Sequence, residues 1–469
     1  MSHTRPPAID RELRAVWVAT VGNIDWPSSN RLSSAVQKAE LVAIMDRAAA
    51  LKLNTVILQV RASCDAIYPS SIEPWSEYLT GTMGQAPRPV YDPLAFAIEQ
   101  AHKRGLELHA WFNPFRARQA AAKSPISPNH ISRTHPELVR RYGSMLWLDP
   151  GEPAAQDYSL RVVMDVLRRY DIDGVHFDDY FYPYKEQDAS GKEMDFPDTA
   201  SWQRFGRAGQ LSRDDWRREN VNAFIRRVYD SIKATKPWVK FGISPFGIWR
   251  PGSPAQIQGY DAYAKLYADS RLWLSKGWLD YFAPQLYWGM DQSAQSLPVL
   301  LKWWAGQNSK GRVLAPGIDS TKVGRQWSSS EIIRQIKATR GAPGVSGHVH
   351  WSMKALMHNG QFTSELESQL YNRPALTPPC AWLGKRGPSK PELTVRGNLR
   401  QADWKPAMKD DVWLWVVQTR TRTQWTTKVL SSGDRGMLLD KMRPEIIALT
   451  AVDRCGNASP PAVLELGAR

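Results

Sequence analysis

Two adjacent aspartates, Asp178 and Asp179, stand inside the segment GVHFDDYFYPY (174–184). Cleaving a glycosidic bond needs one group to protonate the leaving oxygen and another to stabilise an oxocarbenium-like transition state. Two carboxylates this close raise each other's proton affinity, so one can keep its proton near neutral pH while the other stays charged. A DD dipeptide can equally be a helix cap or part of an ion pair, with Arg61 the candidate partner. The setting favours chemistry. Val175 and Phe177 share one face of an extended run, His176 and Asp178 share the other, and Tyr180, Tyr182 and Tyr184 follow.

No glutamate closes the runs expected as strands five and six, where SPFG (244–247) and PQLYW (284–288) stand instead. A pair of carboxylates on separate strands is therefore a poorer fit than a substrate-assisted route, in which a sugar N-acetyl group supplies the nucleophile. In that route Asp178 holds the acetamido N–H, Asp179 is the general acid, and Tyr287 hydrogen-bonds the acetamido oxygen. The rival assignment makes one of the pair a direct nucleophile and takes the acid from Asp25, Glu73, Asp291, Asp319, Glu193 or Asp195. His109, His176, His348 and His350 raise a metal-dependent hydrolase or deacetylase as a further alternative. Such barrels commonly carry HxH on the first strand, whereas HVH (348–350) lies on the last. No metal or other cofactor is expected.

These residues need a scaffold that brings strand ends together. From residue 13 to about 370, short apolar runs alternate with longer amphipathic ones. Strands are predicted over 13–20, 55–62, 107–115, 174–180, 239–247, 280–288, 312–319 and 344–351, and helices over 34–52, 92–105, 157–171, 213–236 and 329–341. Eight strand–helix repeats predict a (β/α)8 TIM barrel. Alternation within the strands points Gln59, Arg61, Asn113, Gln285, Tyr287, Asp319, His348 and His350 inward, late in their strands, at the rim where barrel enzymes keep their chemistry. Arg116, Tyr180, Tyr182, Asp25 and the sugar-stacking candidates Trp26, Trp249 and Trp288 complete the expected binding set. Trp111 and Trp351 are further platforms, though strand parity packs Trp288 and Trp351 under the helices. The long loop 181–211 is expected either to form a wall of the site or to be disordered.

The barrel is expected over 1–372, a Pro- and Gly-rich linker over 373–391, and a fibronectin III or immunoglobulin-like β-sandwich over 392–469. A formal charge of +15 favours anionic partners, but the Lys and Arg are spread along the chain with no nucleic-acid motif, so no nucleic acid is expected. No run reaches the ~20 apolar residues of a transmembrane segment. The opening MSHTRPPAID has no apolar core of a signal peptide. Cys380 and Cys455 share the C-terminal part and could pair in an oxidising compartment, while free buried thiols are the plainer expectation.

The segments RAVWVATVGNIDWPS (14–28), LNTVILQVR (53–61), HAWFNPFRA (109–117), GVHFDDYFYPY (174–184), WRRENVNAFI (216–225), KFGISPFGIWR (240–250) and PQLYWG (284–289) together resemble the bacterial glycosyl-hydrolase-like family ten, hydrolases of the DigH type. The resemblance implies a barrel, glycosidase activity on N-acetylated glycan, namely peptidoglycan strands stripped of peptide, and a cell-envelope or periplasmic location. It also matches Asp178–Asp179 to the family's DD motif. The lactyl carboxylates of such strands could be met by Arg61, Arg116 and Arg250. A non-catalytic carbohydrate-binding barrel is the competing reading.

Overall fold

The computed structural model describes residues 4–384, 386–397, 401–439 and 443–466. Polar caps begin several of its helices. Ser33 Oγ accepts the Val36 N–H at the head of α1 (Ser34–Ala50), and Asp92 accepts Ala95 N–H at α2 (Pro93–His102). These caps satisfy donors that have no partner within the helix. Helix α3 (Pro153–Arg169) starts four residues before its predicted beginning, because Pro153 opens the first turn, where its missing N–H costs nothing. Helices α4 (Arg213–Thr235), α5 (Leu297–Gln307) and α6 (Ser329–Gly341) continue the series.

The strands are β1 (Leu13–Val18), β2 (Thr55–Arg61), β3 (Glu107–Phe112), β4 (Gly174–Phe177), β5 (Lys240–Ile243), β6 (Tyr281–Phe282), β7 (Val313–Leu314), β8 (Gly317–Asp319) and β9 (Gly347–Trp351). They form one parallel sheet in the order β7-β6-β5-β4-β3-β2-β1-β9-β8. The two outermost strands are pieces of the predicted seventh strand, divided at Ala315 and Pro316. Pro316 has no N–H for the ladder, though its carbonyl still accepts Val349 N–H. The predicted sixth strand is likewise cut short before Pro284, and Gln285 continues it as single bridges to Phe246 and Gly317. This curled, helix-coated sheet is consistent with the TIM-barrel glycoside hydrolase fold.

Parity sorts the core into two layers. Val16, Val18, Val56, Leu58, Val60, Val175 and Phe177 pack outward under the helices, whereas Ala15, Trp17, Ile57, Trp111 and Tyr281 fill the interior. Gly174 and Gly242 make that interior possible. A Cβ at Gly174 would lie 2.5 Å from the His109 ring, and one at Gly242 would lie 1.9 Å from the Tyr281 ring. On β9 the predicted parity is reversed: Val349 and Trp351 join the interior layer, and the expectation that His348 and His350 point inward is corrected. Both rings are fully buried against Tyr371, whose hydroxyl meets each of them. The β1–β9 register, which pairs Leu13 with Gly347 and Val16 with His350, sets this alternation.

The stretch 373–391 is not a free tether. Leu376 bridges Arg11, Trp382 Nε1 donates to Asp280 Oδ1 at 2.7 Å, and Cys380 belongs to the interior cluster. Beyond it lie two antiparallel sheets. One contains β10 (Glu392–Arg396), β11 (Gln401–Lys405) and β14 (Gly436–Leu438); the other contains β12 (Leu414–Thr421), β13 (Gln424–Ser431), β15 (Ile446–Val452) and β16 (Ala462–Glu465). Trp404, Trp415, Val417, Ile447 and Leu449 share one apolar cluster between them. All three cysteines are free, and Cys380 N–H donates to Cys455 O at 2.8 Å.

Candidate active site

Asp178 follows β4 directly and Asp179 opens the loop after it, so both stand at the C-terminal end of the sheet. They are 4% and 5% exposed, and among the described residues neither makes an ion pair. Asp178 is held by neighbouring strand ends: Trp111 Nε1 donates to Oδ2 at 3.0 Å, and Asn113 Nδ2 donates to Oδ1 at 3.2 Å. Asp179 Oδ2 accepts from the Tyr184 hydroxyl.

Burial raises the proton affinity of both. For Asp178 it is opposed by the Arg116 guanidinium and by the Trp111, Tyr180 and Asn113 donors, all of which favour the charged form. For Asp179 burial is reinforced by the charge of Asp178 and opposed by Tyr184 and Gln285, and its carboxyl is pushed up to about 7. The two environments differ in sign: Arg116, Trp111, Tyr180 and Asn113 favour the ionised form of Asp178, whereas the charge of Asp178 favours the protonated form of Asp179.

The expected binding residues fall into two groups. Asn113, Arg116, Tyr180, Gln285 and Tyr287 lie next to the pair, with Asp319 beyond Tyr287. Arg116 lies 4.7 Å over the Tyr180 ring and donates from Nε to Ala62 O at 3.0 Å. Gln285 donates to Ser244 O at 2.9 Å, and the half-buried Tyr287 sits among Asp179, Asp319 and Tyr180. Asp319 accepts from Thr321 and lies 3.8 Å from Lys322.

Gln59, Arg61, His350 and Trp26 are buried and bonded within the fold, and Tyr182 is buried with no hydrogen-bond partner for its hydroxyl among the described residues. Gln59 Oε1 accepts Thr20 and Val21 N–H at 3.1 and 2.9 Å. Arg61 pairs with Glu73, with Nη2–Oε1 at 2.6 Å, rather than with Asp178. His350 Nδ1 meets Ser320 Oγ at 2.7 Å, Tyr182 packs between Phe196 and Tyr267, and Trp26 Nε1 donates to Gln37 O at 3.0 Å. Asp25 ties two rims together by accepting from Ala19 N–H, Ser352 Oγ and Lys354 N–H at 2.7–2.8 Å. Trp249 is half-buried, stacked on Trp303 at 6.0 Å, and Trp288 packs edge-on to Phe246.

Three features escaped the sequence reading. Trp111, considered as a sugar platform, is a hydrogen-bond donor to Asp178. Trp351 is half-buried in the interior layer, 6.2 Å from both Trp17 and Trp111, where reversed parity puts it. Beneath the pair, Trp17 Nε1 donates to His176 Nε2 at 3.1 Å, and the Tyr281 hydroxyl joins His176 Nδ1 and His109 Nδ1 at 2.8 and 2.9 Å. Burial keeps His176 neutral, as a fixed floor. The signal for this floor was the inward parity of His109 and His176, which gave direction but not partners.

Comparison with known proteins agrees with this geometry. The glycosyl hydrolase-like 10 family model matches residues 12–331. The chain is 43% identical over 416 residues to glycosyl hydrolase YngK of Bacillus subtilis (strain 168), covering 85% of this chain and 80% of that protein. It is 37% identical over 381 residues to glycosyl hydrolase DigH of Escherichia coli (strain K12), covering 74% of this chain and 85% of that one. Among solved structures, the PgaB (BpsB) glycoside hydrolase domain from Bordetella bronchiseptica aligns with TM-score 0.49 and 14% identity over 77% of this chain and 98% of that chain. With a family match over residues 12–331 and two relatives covering most of its length, the chain belongs to the glycosyl hydrolase-like 10 family and is by class a glycoside hydrolase.

Proposed function

We propose that this enzyme hydrolyses N-acetylated glycan, specifically peptide-free peptidoglycan strands, by acetamido-assisted chemistry at Asp178 and Asp179. The observation that carries the reading is a buried carboxylate pair with no ion-pair partner among the described residues, in which Asp178 accepts from Trp111 and Asn113 while Asp179 accepts from Tyr184, with burial and the charge of Asp178 favouring its protonated form. Ionised Asp178 accepts the acetamido N–H and orients its carbonyl oxygen toward C1. Protonated Asp179 gives its proton to the leaving glycosidic oxygen as the C1–O bond breaks, and the acetamido oxygen bonds C1 to form an oxazolinium ion. Tyr287 hydrogen-bonds that oxygen on the way. Water then adds to C1 as the bond from C1 to the acetamido oxygen breaks and the acetamide re-forms, the Asp179 carboxylate takes the water's proton, and C1 retains its configuration. Arg116, next to Asp178, and the half-exposed Arg250 suit a polyanionic strand.

The two C-terminal sheets fit a fibronectin III-like sandwich, and a cell-envelope location suits the substrate. No helix among the described residues is long and apolar enough to cross a membrane.

Incubating wild-type enzyme and Asp179→Asn with peptide-free glycan strands tests the reading. Wild type should release reducing ends of retained configuration by NMR. The variant should lose about 10²–10⁴-fold in kcat/KM with binding kept, the range for removing a general acid. Binding without any release of ends in wild type would make this a carbohydrate-binding barrel, and inverted product would move the base to another strand.

A further inference from the structure

We propose that Tyr184 is the positioning residue for the acid: its hydroxyl donates to Asp179 Oδ2, leaving Oδ1 to carry the proton that is delivered to substrate. This rests on the reading of Asp179 as general acid and adds which of its oxygens reacts and what holds it.

The argument begins with hydrogen-bond capacity. A protonated carboxyl has one O–H donor and remaining acceptor capacity on its other oxygen. The Tyr184 hydroxyl meets Oδ2. Tyr184 is itself held by packing, with ring centroids 5.5 Å from Tyr180, 5.2 Å from Tyr260 and 6.4 Å from Phe246. These contacts come from two parts of the chain, Tyr180 in the loop after β4 and Phe246 and Tyr260 in the segment after β5, so the hydroxyl is fixed before substrate arrives. The bond also changes in the useful direction during reaction. As the proton leaves Oδ1 the carboxylate gains charge, and a hydrogen bond to a charged acceptor is roughly twice as strong as a neutral one. An interaction that strengthens toward the transition state lowers the barrier rather than merely binding the ground state.

The groups facing Asp179 divide by sign. Asp178, its chain neighbour, favours the protonated form. Tyr184 and the Gln285 amide favour the carboxylate, Arg116 acts mainly on Asp178 and Tyr180, and the buried hydroxyls of Tyr180, Tyr260 and Tyr287 stay protonated. Among these, Tyr184 is the one whose hydrogen bond to Asp179 can be removed by a single-atom change that keeps the ring.

The test is Tyr184→Phe in the full chain, read in two ways. The first is the titration of Asp179 followed by its carboxyl 13C resonance in aspartate-labelled protein, assigned by its disappearance in Asp179→Asn. The second is the pH dependence of kcat/KM on peptide-free glycan strands. Loss of a donor to the charged form should raise the Asp179 midpoint by about one pH unit, with the basic limb of kcat/KM moving by the same amount. Below that limb kcat should fall about tenfold with KM little changed. A role in packing alone moves neither the resonance nor the limb, and an unmoved midpoint overturns the proposal. A midpoint that rises while the limb stays put shows that Asp179 is not the acid and sinks the reading beneath it. If wild type leaves the glycan intact, the substrate assignment fails, while the resonance still decides the hydrogen bond.

Discussion

Asp178 accepts from Trp111 and Asn113 and faces Arg116, whereas Asp179 meets Tyr184 and the charge of Asp178. The difference has a thermodynamic signature. The folded-state value for Asp179, about 7, lies above its ordinary 3.8, so the folded protein holds a proton that the unfolded chain has released. Stability from this group is present below pH 3.8 and is lost as the pH rises toward 7, at up to about 1.4 kcal/mol per pH unit. Asp179→Asn removes that dependence. Urea unfolding from pH 4 to 8 should show wild type losing stability relative to the variant across this window. Parallel curves would mean that Asp179 is ionised throughout.

At the scale of elements, each strand end is braced by its neighbour. Arg61 at the end of β2 pairs with Glu73 and donates from Nη1 to Asn113 O at 2.6 Å and Pro114 O at 3.0 Å. It thereby fixes the turn after β3 from which Asn113 reaches Asp178. Glu73→Gln leaves a buried guanidinium without its counter-charge, a change that costs about 3–5 kcal/mol. The expected result is a correspondingly lower urea midpoint, together with reduced kcat as the Asn113 contact loosens. A loss below about 1 kcal/mol would show that the carbonyl bonds alone hold Arg61. The broken seventh strand follows the same logic. Pro316 interrupts the ladder, yet the flanking pairs tie β7 to β6 and β8 to β9.

Across the whole molecule the two ends of the curled sheet do different work. The carboxylates sit where the strands end; the C-terminal sheets dock where they begin. Arg454 bonds Asp171 and Asp173 at 2.7 and 3.1 Å and lies 4.9 Å over Trp413, which in turn packs on His102. Thr377 and Lys240 converge on Glu107 at the start of β3. A cavity of about 270 Å³, lined by Leu53, Gly105, Leu376, Leu414 and Leu430, remains in this interface. Arg454→Ala removes a cation, its stacking and two ion-pair contacts, and should lower stability by about 2 kcal/mol. Catalysis at the far end should be preserved, with kcat/KM within twofold of wild type. A large loss of activity at unchanged stability would instead couple the C-terminal sheets to the site.

Much of this was legible in the chain. Period-two alternation identified the outward faces of β2 and β4, since Val56, Leu58, Val60, Val175 and Phe177 can be satisfied only under helices. Adjacent aspartates at a strand end, followed by tyrosines, marked the mouth. Alternation is a local property, however, and register is not. His348 and His350 carry the same alternation as Val349 and Trp351, and the pairing of β9 with β1, around a glycine packed on the Leu13 backbone, decided which set faced inward. Partner choice was equally beyond reach: Arg61 lies 12 residues from Glu73 and 117 from Asp178, and the folded loop gave it to Glu73. Residue types and their spacing set which side chains could be charged, aromatic or inward-facing. Which of them lose water together depends on strand register and loop packing, and that shared desolvation is what raises the proton affinity of Asp179.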